Sequence, residues 1–534
     1  MDTDVLIVGA GPVGLTLALD LGRRGVRCTL VEQKSEPHMW PKMERCNARS
    51  MEIYRRMGLA EKIRAAGLPA WVPMDVFIVT SLIEPPLLHL PYPSVAEAKK
   101  QIAACRDGTL PLEPYQLISQ YTLEPLLKSV VETLPSVTVR YGCEFLEFTQ
   151  DARSVTAQVK PAGRGTESIT AQYLIGCDGG TSNVRQQLGI KLAGEGNILQ
   201  LRQALYRCDD LFERITIGKG RHYHVADFQA TQLIVQDSTR HFTLHSVVKT
   251  DANMATKFEE VVAMPVKYEM LYVNEWRQNL LAAERYGQGR VLLAGDAVHL
   301  VIPTGGLGMN TGVGDAVDLG WKLAATLQGW GGPNLLASYE AERRPIGIRN
   351  VAASRYASLG RRKWRSEIRP EIRDKTPAGE AARAHLAAVA DVEQRKTNEM
   401  IGAELGYRYA DSPIVAKEPG EPPPDDFVNY VPTTWPGARL PHVWLAGGVP
   451  MQDRIGDGYT LLRLGGSTAD ASVLARAFTA VGAPFTTLDV PDAAARDVYG
   501  RDLILVRPDL HVVWRGNVMP DDPQRLAAVA TGHL

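Results

Sequence analysis

Four apolar residues, Val5 to Val8, form an unbroken run that ends at Gly9, and the segment after it, 12–24, carries apolar positions at helical spacing. RCTLVEQ (27–33) returns to a buried-strand pattern. Strand, helix and strand in that order predict a β–α–β unit on a parallel sheet. Residues 44–66 set Met51, Ile53, Met57 and Ile63 among charges and predict a helix. The prolines and short apolar runs of 69–118 predict loops and edge strands, and 119–133 predicts a helix that tolerates Pro125 near its start. Strict alternation over 137–159 predicts antiparallel strands, and QYLIGCDGG (172–180) is again a buried strand ending in a turn.

From about 190 to 285 alternation dominates, as in RHYHVADF, TQLIVQD and HFTLHSVV, and predicts a sheet-rich insert. VLLAGD (291–296) reads as one more buried strand, followed by a glycine loop and then long helices over roughly 312–362 and 376–404. The proline-rich 411–441 reads as a linker or wrapping loop. The tail alternates once more: YTLLRL, a helix over 469–482, PFTTLDV, and LILVRPDLHVVWRG as a hairpin about Pro508-Asp509. The fold class expected is α/β. A Rossmann-like domain spans 1–190 and 286–410, and a β-rich insert spans 191–285, with some of 69–118 as candidates to join it. A small α/β domain with its linker occupies 411–534.

Composition narrows the function. At 534 residues the chain exceeds a single core. A net charge of −1 gives no electrostatic case for nucleic acid or an anionic membrane. No apolar run reaches spanning length, and the acidic start MDTDVLIVGAG is not that of a signal peptide. The six cysteines form no C-x-x-C pair and none lies beyond Cys208, which fits a reducing cytoplasm and argues against a metal site or disulfide scaffold.

The chemistry lies in three motifs. GAGPVG places Gly9, Gly11 and Gly14 between a strand and a helix, the dinucleotide pattern. The first glycine permits the turn, the second lets a pyrophosphate approach, and the third lets helix meet strand. Pro12 and Val13 lie within that turn. Glu32, followed by Gln33, ends the second strand, where a carboxylate accepts from a ribose hydroxyl. GCDGGTSNVRQQLGI (176–190) sets Asp178 after a strand and Ser182 and Arg185 at a helix start. LAGDAVHLVIPTGGLGMNTG (293–312) sets Asp296 after a strand and five glycines before a helix. Two extra strand-end sites beyond the dinucleotide loop suit FAD, whose ribityl chain needs its own grip.

These motifs, in this order and spacing, resemble the single-component flavin-dependent aromatic hydroxylases, the 4-hydroxybenzoate hydroxylase superfamily. PGARLPH (436–442) and LILVRPDLHVVWRG (503–516) resemble its phenol and polyketide hydroxylase branch, whose members carry a thioredoxin-like C-terminal domain without redox cysteines. The resemblance implies FAD and NAD(P)H as cofactors, O₂ and a small aromatic molecule as substrates, and a homodimer as a family-level expectation. It implies oxygen transfer from a flavin C4a-hydroperoxide to an electron-rich ring carbon.

By the same resemblance Gln120 lies near the ribityl–phosphate region, Asp296 bonds a ribityl hydroxyl, and Asp178 serves cofactor binding, with bracing of its own turn beside Arg185 as the alternative. The backbone of Gly308, Met309 and Asn310 stabilises the negative edge of reduced flavin. Pro303, with Thr304, lies where oxygen and substrate meet. Lys42 stands where the family often has arginine, keeping the charge without the planar fork, and Arg45 is positioned to compensate. Asn47 and Arg49 are candidates to support the flavin loop. Substrate contacts are expected from the insert: Arg207, His222, Tyr223, His224, Gln236 and His245, with His222 or Tyr223 first as the catalytic group. Alternation puts His222 and His224 on one face and Tyr223 on the other, so only one set faces the flavin. His299 reads as a structural histidine rather than a catalytic one. Baeyer–Villiger or epoxidising chemistry on a polyketide-type ring, and a flavin-binding redox sensor without turnover, remain as alternatives.

Overall fold

The computed structural model describes residues 1–37, 39 and 41–534. The apolar runs become the centre of the first sheet. Strands Val291–Leu293, Glu167–Gly176, Thr3–Val8, Cys28–Glu32 and Val137–Tyr141 lie side by side and parallel. Their core residues, such as Val5, Ile7, Leu30 and Ile175, are fully buried because helices cover the sheet. An antiparallel ribbon, Cys143–Gln150 with Val155–Pro161, joins through Glu167–Ala171. Register matters more than the strands themselves. Val8 pairs with Gly176 and Val31, and Gly176 pairs with Leu293. The glycine turn at Gly9, Glu32, Asp178 and Asp296 therefore emerge together at the carboxyl edge of the sheet, where such sheets bind ligands.

The insert forms a second sheet of seven strands. Its order is Glu269–Arg277, Gln200–Arg207, His241–Ser246, Gln232–Val235, His222–Val225, Val76–Val79 and Leu88–Leu90. The last two come from within 69–118. The His222–Val225 and Val76–Val79 pair is parallel, and the rest are antiparallel. One face is apolar: Tyr206, Tyr223, Leu233, Phe242 and Leu244 meet Met254, Phe258, Val261 and Val262 of the helix Ala252–Val262. Alternation predicts mostly strand over 190–285, yet Ala252–Val262 is helical. The helix within it shows the i, i+4, i+7, i+8 spacing of those four residues.

Other expected elements are divided. The segment 44–66 breaks into a bridge at Arg45–Cys46 and helices Ala48–Arg56 and Ala60–Ala66, separated at Gly58, whose φ is +74°. The helix expected over 312–362 is two, Gly308–Leu327 and Pro333–Arg365, parted by Gly329, Gly331 and Gly332. Within 69–118, Val95–Ala104 is a helix started by a Ser94/Glu97 capping box. The tail is a mixed four-stranded sheet in the order Phe485–Val490, Tyr459–Leu464, Leu503–Val506, Val512–Gly516, flanked by helices in the thioredoxin-like manner. Segment 411–441 has little regular structure but is anchored: Arg439 forms a fully buried ion pair with Glu52 on the helix Ala48–Arg56. Among the described residues, no helix is long and apolar enough to cross a membrane.

Candidate active site

The three glycines of the first loop are distinguished by what surrounds them. Gly9 has φ +105°, and a Cβ there would lie 2.5 Å from the Cys177 carbonyl oxygen. A Cβ on Gly14 would lie 2.0 Å from the Gly9 oxygen. A Cβ on Gly11 meets nothing nearer than Glu124 Oε1 at 3.9 Å. Backbone packing thus demands glycine at 9 and 14, whereas the space beside Gly11 is open. The helix Pro12–Arg23 begins there with no side-chain cap, so its first-turn N–H groups are free to meet an anion. Gly14→Ala is expected to yield little folded protein. Gly11→Ala should fold but lose bound flavin several-fold, read as the flavin-to-protein absorbance ratio.

Glu32 is held for a ligand. Its Oε2 accepts from the Ala10 N–H at 2.9 Å and its Oε1 from the Lys34 N–H at 3.0 Å, leaving further lone pairs on both oxygens. Gln33 beside it is exposed. Gln120 starts the helix Gln120–Val131 and donates its amide to Glu124 Oε1 at 2.6 Å. Burial pushes the Glu124 carboxyl up to about 6. Glu124, close to Gly11, is a site residue that sequence reading missed; only its spacing from Gln120 signalled it.

At the second motif, Asp178 Oδ2 accepts from the Val184 N–H at 3.1 Å, and Ser182 caps the helix Asn183–Gln187. Asp178 Oδ1 is buried without a partner, and burial raises its pKa. Arg185 braces the motif, but through the carbonyls of Ala297 and Gly180 rather than through Asp178.

The third motif is laced to the segment after the second strand. Asn310 Oδ1 accepts from the Asn47 N–H at 2.9 Å, and Asn310 Nδ2 donates to the Gly306 oxygen at 2.6 Å. The Arg45 guanidinium donates to the Gly305 oxygen. Gly305 and Gly306 have φ +89° and +65°, and the Gly306 N–H returns to the Pro303 oxygen at 2.8 Å. Pro303 itself stands exposed, with Thr304 buried behind it. The helix Gly308–Leu327 then starts from Leu307 with no side-chain cap, so the N–H groups of its first turn, from Gly308, Met309 and Asn310, have no side-chain acceptor. Val13 links the two uncapped helix starts. It fills the space beside both Gly295 and Gly312, where added Cβ atoms would lie 2.9 and 2.5 Å from its side chain.

Lys42 Nζ reaches Asp296 Oδ2 at 2.5 Å with its side chain half exposed. Asp296 raises the Lys42 pKa; burial raises that of Asp296, but Lys42 outweighs it and holds the carboxylate low. Arg49 turns away from the loop toward the Asp509 carbonyl. His299 is structural: its Nε2 bonds Asp315 Oδ2 at 2.7 Å, and Arg343 Nε donates to Asp315 Oδ1 at 2.8 Å, all buried. Two uncapped helix starts, an open second glycine, a held Glu32 and an orphaned Asp178 oxygen at one sheet edge fit FAD.

The second sheet turns its other face toward this edge. Cross-strand register aligns His224, Gln232, His245 and Gln203 in one row, with His222 one step along. His222 Nε2 lies 2.9 Å from Glu44 Oε2. Burial lowers the His222 pKa even against Glu44; burial raises that of Glu44, but His222, Arg221 and Arg45 outweigh it. At neutral pH the pair is a neutral imidazole whose Nε2–H donates to a carboxylate, which leaves the lone pair on Nδ1, a buried atom without a partner. Gln394 donates to His224 Nε2 at 3.1 Å while accepting from Trp364 Nε1 at 2.9 Å. His245 meets Trp276 edge-on, and burial pushes its pKa down to about 4.

Two expected site residues, Tyr223 and Arg207, lie elsewhere, and a third, Gln236, is engaged in a domain contact. Tyr223 faces the apolar side; its hydroxyl donates to the Gly218 carbonyl and accepts from the Gly220 N–H, and its ring stacks on Phe77. The alternation that grouped the histidines put it on the wrong side for catalysis. Arg207 is an exposed strand end paired with Asp209. Gln236 spends its amide oxygen on the Ser119 hydroxyl and ties the insert to the first domain. Glu44, Arg221 and Arg361 are the neighbours of His222 that sequence reading missed.

Two family models match the chain: an FAD binding domain over residues 2–354, and the C-terminal domain of aromatic-ring hydroxylases over residues 433–533. The FAD-dependent monooxygenase apdD of Emericella nidulans is 32% identical over 99% of this chain and 90% of its own length. Aklavinone 12-hydroxylase RdmE of Streptomyces purpurascens is 31% identical over 96% of this chain and 95% of its own. Among solved structures, chromopyrrolic acid-soaked RebC with bound 7-carboxy-K252c superposes with a TM-score of 0.90, at 33% identity, covering 100% of this chain and 99% of that one. The flavin-dependent monooxygenase PieE, in complex with FAD and substrate, gives 0.88 at 27% identity with the same coverage.

Proposed function

The chain belongs to the FAD-dependent aromatic-ring hydroxylases and is a flavin monooxygenase; we propose that it draws electrons from NAD(P)H and hydroxylates a phenolic, polyketide-type ring. FAD, when bound, supplies the chemistry that splits O₂ between the ring and water. Gly11, Pro12, Val13 and Glu32 hold its dinucleotide end, and Asp296 with Lys42 takes the ribityl region. The first turn from Gly308 to Asn310 stabilises the charge that the reduced ring carries. Residues 1–190 and 286–410 serve the cofactor. Residues 191–285, with strands from 69–118, serve the substrate, and 411–534 form the C-terminal domain.

The observation that carries this reading is the joint at two adjacent residues. Glu44 holds His222 of the insert, while Arg45 holds Gly305 of the flavin loop. The polar face of the insert is thereby fixed against the loop where the flavin ring belongs. His222 Nδ1 takes the phenol proton, making the ring electron-rich at its ortho and para carbons. Relatives named as aklavinone hydroxylases support a fused-ring substrate.

The test is NAD(P)H consumption by the purified flavoprotein across a panel of phenols and fused-ring phenols. Consumption should rise at least about tenfold with a suitable ring, with a product heavier by one oxygen atom. Consumption indifferent to every ring, with all electrons recovered as hydrogen peroxide, would overturn the reading.

A further inference from the structure

The surroundings of His224 fix its tautomer. An indole N–H only donates, so Trp364 Nε1, 2.9 Å from Gln394 Oε1, makes that oxygen the acceptor. The other end of the amide is then a donor, and it meets His224 Nε2 at 3.1 Å. Nε2 must accept, which puts the proton of a neutral ring on Nδ1. The ring is neutral, because burial and then the charge of Arg361 hold its pKa well below 6.5. His224 has no exposed surface, and its Nδ1 has no hydrogen-bond partner. A buried N–H left in that state is costly, and a carbonyl oxygen is its complement.

His222, two residues back on the same face, is the reverse. Glu44 takes its Nε2–H, and the lone pair on its Nδ1 is without a partner. The two imidazoles stand 5.6 Å apart, centre to centre, with their planes at 77°. The face thus offers one acceptor and one donor side by side. Two oxygens on one edge of a ring system meet both, a hydroxyl for His222 and a carbonyl for His224. A para pair does not, because its oxygens point in opposite directions.

We propose that His224 is a specificity-determining residue: its Nδ1–H donates to a carbonyl oxygen beside the substrate phenol, so that the enzyme prefers aromatic hydroxyketones to phenols without that carbonyl. This rests on the hydroxylase reading above. A hydroxyl beside a carbonyl holds its proton in an internal hydrogen bond. His224 gives the carbonyl another donor and His222 gives the proton another acceptor. The proton then passes from the phenol oxygen to His222 Nδ1, while the carbonyl stays on His224. Trp364 and Gln394 act through His224 as positioning residues, since they decide which of its nitrogens carries the hydrogen.

The probe is a matched set: 1-hydroxy-2-acetonaphthone, 2-ethyl-1-naphthol, which lacks the carbonyl at equal size, and 2-acetonaphthone, which lacks the hydroxyl. Each is titrated into the FAD-loaded enzyme and followed by the change in flavin absorbance. The hydroxyketone should bind at least about tenfold more tightly than the ethyl naphthol. His224→Phe should reduce that gap to about twofold or less, whereas His224→Asn, which keeps an amide N–H near the place of Nδ1, should retain most of it. Trp364→Phe leaves His224 in place but lets Gln394 turn its oxygen to the imidazole, so the gap should narrow there as well. That variant serves if His224→Phe does not fold. Equal binding of hydroxyketone and ethyl naphthol to the unaltered enzyme, binding of none of the three, or a gap untouched in either folded Phe variant overturns the proposal. Product analysis of the same samples separates the two readings. A hydroxyketone bound through His224 but never oxygenated leaves the donor site standing and sinks the hydroxylase reading. Naphthols hydroxylated with no preference for the carbonyl do the reverse.

Discussion

Arg507→Ala is expected to destabilise the protein by about 3–5 kcal/mol, seen as a lower thermal midpoint and as early proteolysis of the C-terminal sheet. Arg507 sits in the turn of the hairpin 503–516 with no exposed side-chain surface, yet two of its three acidic partners lie far away in the sequence. It bonds Glu342 at 2.6 Å, Asp318 at 2.9 Å and Asp509 at 2.7 Å, and its guanidinium lies over the rings of Tyr409 and Trp321. Lys322 completes the cluster, 2.7 Å from Asp318 and 2.6 Å from Glu342. Burial, with Glu342 and Asp509 beside it, raises the Asp318 pKa against Lys322 and Arg507. Removing Arg507 leaves Glu342 to Lys322 alone and takes from Asp509 its guanidinium partner, both away from water. Arg507→Lys should lose less, because the charge remains while the fork is lost. A midpoint unchanged in Arg507→Ala would mean that the cluster does not hold the C-terminal domain to the helices Gly308–Leu327 and Pro333–Arg365.

What the sequence made legible follows from locality. The strand-ending loops at Gly9, Asp178 and Asp296 are written as contiguous apolar runs followed by glycines, and sheet register alone then brings them together. The PGARLPH and VRPD motifs were visible as strings, but their roles were not. Arg439 and Arg507 act by crossing to Glu52 and Glu342, partners 387 and 165 residues distant. The helix Val95–Ala104 was signalled by Ser94 and Glu97 and obscured by the prolines before it. The substrate side was least legible. Glu44, Arg221 and Arg361 belong to three separate segments, and no periodicity links a strand's end to the last turns of a helix 140 positions later. Alternation did separate Tyr223 from the two histidines, but which face meets the flavin loop depends on the helix Ala252–Val262 covering the other.

His222→Asn should lower kcat/KM for a phenolic substrate by about 10²–10⁴-fold at pH 7, with flavin content and melting behaviour close to the parent. The direction of the imidazole lone pair decides the role. Glu44 accepts the Nε2–H at 2.9 Å, which fixes the tautomer and leaves Nδ1 as the proton acceptor. Burial lowers the His222 pKa below its ordinary 6.5, so the base is already free at neutral pH. The acidic limb of kcat/KM should therefore fall below pH 6.5, with activity lost only as the imidazole gains its proton. Glu44 raises the His222 pKa, so Glu44→Gln should move that limb lower still while weakening the base. A structural role for His222 would give a deficit independent of pH. A general base gives one that shrinks as the phenol ionises by itself: near pH 10, about the pKa of an unperturbed phenol, His222→Asn should recover most of the lost rate. A variant as impaired at pH 10 as at pH 7 would remove His222 from the reaction and leave it as a prop for the insert.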